Sequence, residues 1–127
     1  MKKPTFKLKK YGKTYNLEVE ICRYGNGSIA ILARDTADGM PYGKITTNLD
    51  IKNEPFTAFI DVEYGNEIVQ SLIDANLGKL TGRICKTSYV DFPEFKFNEE
   101  KLKEFDTDGY EEFLAYSEAL NLAESMK

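Results

Sequence analysis

The sequence predicts an α+β protein: an antiparallel β-sheet of about five to six strands, packed by one central helix and a C-terminal helical pair. Three observations support this prediction. Apolar and polar residues alternate through much of the first half of the chain, as in half-buried strands. One later segment places apolar residues three and four positions apart, as on one face of a helix. The final third has two segments that follow helix-capping residues.

The first strands follow from this alternation. Phe6 and Leu8 alternate with lysines, which predicts a strand from Thr5 to Lys10 with one solvated face. The clearest signal is a three-strand meander that spans residues 15–51, with a turn at 25–27 and a polar loop at 35–43. Its expected buried face is formed by Val19, Ile21, Ile29, Ile31, Ile45 and Leu49.

The second half of the chain begins with another alternating run at residues 56–62. Asn66 has the position of an N-cap for a helix that Gly78 would end in a left-handed conformation. A further strand is predicted from Arg83 to Phe92, where Pro93 would stop it.

The C-terminal helical pair is predicted from two groups of capping residues. Residues 98–100 begin a short helix, and the break at 106–109 precedes a final helix from about Tyr110 to Glu124. Phe113 and Leu114 lie on the apolar stripe of that helix, so we expect them to dock on the sheet.

Length and composition favour one domain over residues 1–127, with 42% hydrophobic and 30% charged residues. No apolar run follows Met1 and none reaches the length of a membrane span, which predicts a cytoplasmic protein that does not contact membranes. Cys22 and Cys85 are far apart in sequence, and a single disulfide between them is possible. A chain of this size with a good core does not need one, so we favour two reduced cysteines. The sequence leaves the oligomeric state open.

The absence of histidine limits the possible chemistry. A nucleophile activated by histidine cannot be built, and neither can a zinc site with imidazole ligands. The acidic turns at residues 35–39 and 106–109 lack the ligand set of a calcium loop. We therefore expect no enzymatic activity, no metal and no cofactor.

Charge is distributed unevenly along the chain, although the net charge is only −4. Residues 1–13 contain six lysines and no acidic residue, whereas residues 94–127 contain ten Asp and Glu against four Lys. An ordered array of carboxylates can attract a basic protein that handles nucleic acid, since it resembles a row of phosphates. The same carboxylates are also typical of an ordinary solvated helix face, and this explanation stays open. The predicted partner-binding residues are Tyr110, Glu111, Glu112, Tyr116, Glu118 and Glu124.

The basic amino end supports an alternative prediction. Lysines with aromatic residues among them can follow a phosphate backbone and stack on bases. Lysines on an edge strand also serve simply to prevent pairing between edges, and this explanation stays open. The candidate nucleic-acid-binding residues are Lys2, Lys3, Lys7, Lys9 and Lys10.

The order of the turns resembles a known family. Residues 23–27, 38–43 and 45–49, together with 77–78, 81–83 and 106–110, are similar to domain-of-unknown-function family 4313 over roughly residues 14–112. Its members are small proteins of gut bacteria, their mobile elements and phages. The resemblance implies no catalytic residue or cofactor. It implies an accessory protein of a phage or mobile element, and some small acidic proteins of this kind inhibit host defence nucleases, including CRISPR nucleases. Together with the acidic C-terminal third, the resemblance leads us to expect a protein-binding function with a host protein as the partner.

Overall fold

The computed structural model describes residues 3–51, 53–63 and 65–126, and this part of the chain contains eight strands and three helices. The strands are β1 (Phe6–Lys10), β2 (Lys13–Arg23), β3 (Ile29–Asp35), β4 (Pro41–Lys44), β5 (Thr46–Thr47), β6 (Thr57–Ile60), β7 (Gly78–Lys86) and β8 (Asp91–Phe97). The helices are α1 (Glu67–Asp74), α2 (Glu99–Phe105) and α3 (Thr107–Ser125). The predicted α+β class, with a central helix and a C-terminal helical pair, is confirmed.

The strands form two antiparallel sheets of four strands each, where the sequence had suggested one sheet of five or six. The first sheet has the order β1-β2-β3-β4, and the second has the order β5-β6-β8-β7. The chain passes from one sheet to the other at Ile45 and Thr46. The Ile45 amide donates to the carbonyl of Ile31 in the first sheet at 2.8 Å, whereas Thr46 pairs with Ile60 in the second.

One continuous apolar cluster includes residues of both sheets and of all three helices. Five of the six residues predicted to share a buried face in the meander are buried in this cluster: Val19, Ile21, Ile29, Ile31 and Ile45. Leu49, the sixth, is only partly buried at its edge. Every residue of β6 is buried, because this strand lies inside its sheet and is covered on both faces.

The third strand of the meander lies earlier in the chain than the predicted segment at residues 45–51. The carboxylates of Asp35 and Asp38 accept the amides of Ala37 and Met40 at 3.0 and 2.9 Å. These turns reverse the chain within a few residues, so that β4 pairs with β3 inside what was predicted as a loop. Only β5 remains as a strand in the predicted segment.

Residues 83–92, predicted as one strand, instead contain the end of β7, a turn and the start of β8. Pro93 does not end a strand. Strand β7 runs antiparallel to β8, and Pro93 lies within β8 opposite Ile84. The pairing is irregular between Leu80 and Ile84, where β7 contains additional residues. Proline is tolerated at such a bulge because the regular ladder of hydrogen bonds is interrupted there.

Both ends of α1 differ in detail from the prediction. Asn66 is the N-cap residue, but its side chain makes no capping hydrogen bond. The left-handed conformation after the helix is adopted by Asn76, with a φ of 59°, and not by Gly78. Gly78 starts β7, where a Cβ atom would collide with the Lys96 carbonyl oxygen and lie 2.6 Å from the Phe95 ring. This glycine is therefore required for close approach of two strands.

Candidate functional site

The start of α3 is fixed to the first sheet by Asp106. One carboxylate oxygen accepts the amide of Gly109 at 3.2 Å and caps the helix, as the capping pattern predicted. The other accepts the buried amide of Ile21 in β2 at 2.8 Å. Lys3 lies 3.7 Å from the same carboxylate. A side chain at Gly109 would collide with Asp106, so the glycine permits this close contact.

Aromatic contacts then hold the first half of α3 against the protein. Phe113 is buried and meets the ring of Phe56 edge-on at 5.1 Å, which confirms that it docks on the core. Tyr110 stacks on Phe56 at 5.5 Å and donates its hydroxyl to Glu99 at 3.1 Å. The guanidinium of Arg23 lies 3.7 Å from the ring centre of Tyr116. Both tyrosines that were predicted as partner anchors are thus half-buried and engaged within the protein.

The glutamates predicted as partner contacts lie on the solvent side of the same helix. Glu111, Glu112 and Glu118 are exposed, as is Asp108 at its start, and Glu124 is exposed near its end. Within the described residues, no ion pair or hydrogen bond is formed by the side chains of Asp108, Glu111, Glu112 and Glu118. By contrast, the carboxylates of Glu20, Asp61 and Glu94 form ion pairs with Arg34, Lys44 and Arg83.

A shallow groove separates α3 from the end of β2. Its volume is about 220 Å³, and Cys22 and Glu112 are among its lining residues. Burial raises the pKa of the Cys22 thiol, and the nearby carboxylates of Glu20, Asp106 and Glu112 raise that pKa further. A thiol with a raised pKa is a poor nucleophile at neutral pH, so the groove does not activate this cysteine. Cys22 and Cys85 are both free.

The lysines of the amino end that the structure describes have different surroundings. Lys2 lies outside the described residues, and Lys3 is paired with Asp106. Lys7 and Lys9 are exposed on β1, where they line an open groove of about 640 Å³ whose other wall includes Glu67 and Asp74 of α1. Those carboxylates reduce the positive potential that a phosphate would meet there.

A second group of basic and aromatic residues lies at the turn between β1 and β2. The ammonium groups of Lys10 and Lys13 lie 5.3 and 4.8 Å from the ring centres of Tyr11 and Tyr15. Tyr42 of β4 contacts Tyr15 with ring centres 5.1 Å apart. Burial raises the pKa of Tyr42, and its tyrosine neighbours add to this effect, so the phenol stays neutral.

Strand β7 exposes large apolar side chains, and no function was predicted for it from the sequence. Leu80 is 45% exposed and Ile84 is 53% exposed, and Tyr89 in the following turn is 95% exposed. An available signal was the segment 78–86 itself, which contains apolar residues and cations but no acidic residue. The sequence alone could not indicate that β7 would lie at the edge of its sheet.

Within the described residues, no group of histidine, cysteine, aspartate and glutamate side chains has the arrangement of a metal site. Among the helices described, none has the length and apolar character needed to cross a membrane.

The two sheets, the three helices and the exposed carboxylates of α3 define a small α+β protein with an acidic helix on its surface. The family model described as Domain of unknown function (DUF4313) matches residues 16–116, and the chain belongs to that family. This confirms the resemblance found in the order of the turns. Neither a curated protein nor a solved structure matches the chain at a significant level.

Proposed function

We propose that this protein is a non-catalytic accessory protein that binds another protein through the exposed face of α3. The observation that carries the proposal is the group of carboxylates at positions 108, 111, 112 and 118, which have no cationic partner within the described residues. Carboxylates held on a docked helix keep a fixed spacing, and a fixed array of like charges favours a partner with a complementary basic surface.

The chemistry of this surface fits a partner that itself binds nucleic acid. Such a protein presents lysine and arginine where phosphates would lie, and a helix with regularly spaced carboxylates can occupy the same place. The family context implied by the resemblance, phages and mobile elements, makes a host defence nuclease the partner class that we favour. An inhibitor would then act by excluding the nucleic acid from its enzyme.

Affinity capture from a bacterial lysate, with Glu111→Lys/Glu118→Lys beside the native protein, tests the proposal. Both side chains are exposed, so the reversal should leave the fold intact. We expect the native protein to retain one or more basic proteins at low salt and the variant to lose them. Retention should weaken as salt rises, because exposed charges are screened.

A matched control separates the site from net charge. Glu54→Lys/Glu63→Lys makes the same change in charge at two exposed residues outside α3. We expect this control to capture the same proteins as the native chain. If all three proteins capture the same set, or none captures a basic protein at low salt, α3 is not the binding surface.

A second candidate function, binding of single-stranded nucleic acid, is favoured by the cluster of Tyr11, Tyr15 and Tyr42 with Lys10 and Lys13. Aromatic rings accompanied by cations are the elements with which proteins stack bases and follow a phosphate backbone. The exposed ring of Tyr11 is the best placed to stack on a base, since it is 84% exposed.

Fluorescence anisotropy with a labelled oligothymidine of about ten nucleotides tests this second function. Binding should be clear at about 50 mM salt and should fall steeply as salt rises. Tyr11→Ala should weaken it, whereas Glu111→Lys/Glu118→Lys should not reduce it. Absence of binding at about 50 mM salt would exclude this function.

A further inference from the structure

Strand β7 is the longest edge strand of the structure, and one of its edges is open. Within the described residues it pairs with β8 alone, along residues 78–86. The backbone amides and carbonyls on the other edge of such a strand are available for pairing with an added strand. Edge strands in native proteins are usually short or protected. Strand β7 spans nine residues and exposes Leu80 and Ile84, although its pairing with β8 is irregular between these two residues.

The apolar side chains of β7 lie on one face and continue the apolar core toward solvent. Leu80 pairs with Phe95 and Ile84 pairs with Pro93. Phe95 and Pro93 are two residues apart in β8, so their side chains, and those paired with them, share one face. Phe95 is fully buried on this face, whereas Leu80 and Ile84 are about half exposed beside it. An added strand would cover both.

The charges along β7 are all positive. Lys79, Arg83 and Lys86 are its only charged residues. Arg83 already pairs with the buried carboxylate of Glu94 at 3.2 Å. Lys79 lies directly opposite Lys96, and neither forms an ion pair within the described residues. Like charges directly opposite each other destabilise a sheet, and a carboxylate on an added strand beside Lys79 would offset this cost.

The same two lysines line an open groove of about 390 Å³ at the start of β7. The groove thus places the ammonium group of Lys79 at one end of the open edge, with Lys96 behind it on β8, and the apolar pair Leu80 and Ile84 lies farther along the strand. A ligand that fits both features is an extended chain in which carboxylates alternate with apolar residues.

We propose that the open edge of β7 binds an extended segment of a partner protein by strand addition, and that this segment is acidic with alternating apolar residues. Backbone pairing with β7 supplies affinity, and the side chains of Leu80 and Ile84 select apolar residues at alternate positions. The ammonium groups of Lys79 and Lys96 select a carboxylate beside them. This site is separate from the acidic face of α3 and requires a partner segment of the opposite charge.

Pairing of β7 with a second copy of the same strand is disfavoured by these charges. A symmetric pair would bring three cations of one copy against three of the other, without an acidic residue in either strand. Charge complementarity therefore favours a segment of a different protein as the occupant.

The test uses a fluorescent peptide of about nine residues that alternates valine and glutamate, with blocked ends. Fluorescence anisotropy reports binding, and amide hydrogen exchange reports protection of β7. We expect saturable binding, with slower exchange in β7. Leu80→Glu/Ile84→Glu should weaken the affinity by at least about tenfold. The matched control Leu122→Glu/Met126→Glu adds the same charges at two exposed apolar residues, one in α3 and one directly after it, and should bind as the native chain does.

Several outcomes would overturn the proposal. These are absence of saturable binding, equal binding of a valine–lysine peptide, and unchanged affinity in Leu80→Glu/Ile84→Glu. A central proline in the peptide removes a backbone donor, so undiminished binding of that peptide would also contradict strand addition. Analytical sedimentation tests whether β7 pairs with a second copy of the chain. A dimer of the native chain that Leu80→Glu/Ile84→Glu dissociates would overturn the proposal and assign the edge to that second copy.

Discussion

Two edge strands of this protein, β1 and β7, are built in opposite ways. In β1 the apolar residues Phe6 and Leu8 face the core, and the lysines between them face solvent. In β7 the apolar residues Leu80 and Ile84 are about half exposed. Strand β1 has the usual protection of an edge, since lysine on its open side discourages pairing with another strand. Strand β7 also carries cations and a bulge, which are protections of the same kind, but it exposes its apolar residues as well.

The neighbours of an edge strand decide whether its apolar residues are buried or exposed. Both strands mix lysines with apolar residues, yet α1 packs beside β1 and shares a groove with it. Strand β7 has much less contact with α1 than β1 has, and Leu80 and Ile84 are about half exposed, so these apolar residues remain available for a partner. The two edges can be distinguished by substitutions at equivalent positions.

The largest expected effect comes from truncating one leucine on each edge. Leu8→Ala removes a side chain that is only 2% exposed, so we expect it to lower the free energy of unfolding by about 2–5 kcal/mol. Leu80→Ala removes a half-exposed side chain and should change the free energy by less than about 0.5 kcal/mol. Urea unfolding of both variants measures the contrast. Equal losses would mean that β7 is covered in solution.

The next effect concerns one glycine at each edge. An added methyl at Gly78 meets the backbone of Lys96, and such overpacking typically costs about 1–3 kcal/mol. At Gly12, in the turn after β1, φ is 73° but no atom lies within 4 Å of an added Cβ. Gly12→Ala should therefore cost only the strain of a side chain at positive φ, about 1–2 kcal/mol, whereas Gly78, with a φ of 156°, bears backbone strain as well as the collision. Thermal unfolding of the two variants checks the order, which reverses if β7 can shift away from β8.

A buried carboxylate fixes the irregular middle of β7, and its removal should have a comparable but more local effect. Glu94 accepts hydrogen bonds from Thr81 at 2.9 Å, Asn53 at 2.7 Å and Arg83 at 3.2 Å. Glu94→Ala leaves Asn53 and Thr81 without this partner, at a cost of about 1–3 kcal/mol. Hydrogen exchange should accelerate in β7 and remain unchanged in β1. Equal acceleration in both strands would show that the two edges unfold together.

The sequence predicted the parts of the fold that local chemistry determines. Alternation located β1, β2 and β3, and the capping residues Asn98 and Asp106 located the two C-terminal helices. It could not predict where the chain leaves one sheet for the other. That point depends on the pairing of Thr46 with Ile60, which are far apart in sequence.

The candidate site was predictable to the same extent. Periodicity along α3 separates the buried Phe113 from the exposed Glu111 and Glu118, as observed. The use of Tyr110 and Tyr116 inside the protein was not predictable, because their partners Phe56 and Arg23 come from other elements. The exposure of β7 depends on strand order, which the sequence of the strand does not contain.

The smallest expected effect is a charge reversal on each edge, which should change the free energy of unfolding in opposite directions in β7 and β1. Lys79→Glu replaces one of two like charges in the cross-strand pair with Lys96, so it should stabilise the protein by about 0.2–1 kcal/mol. Lys9→Glu places a third carboxylate in the groove lined by Glu67 and Asp74, and it should destabilise the protein by a few tenths of a kcal/mol. Both side chains are exposed, so added salt should shrink both differences. Urea unfolding at low and high salt measures them. Because the two substitutions change the net charge equally, a shift of the same sign in both variants would reflect overall charge and would remove the electrostatic distinction between the two edges.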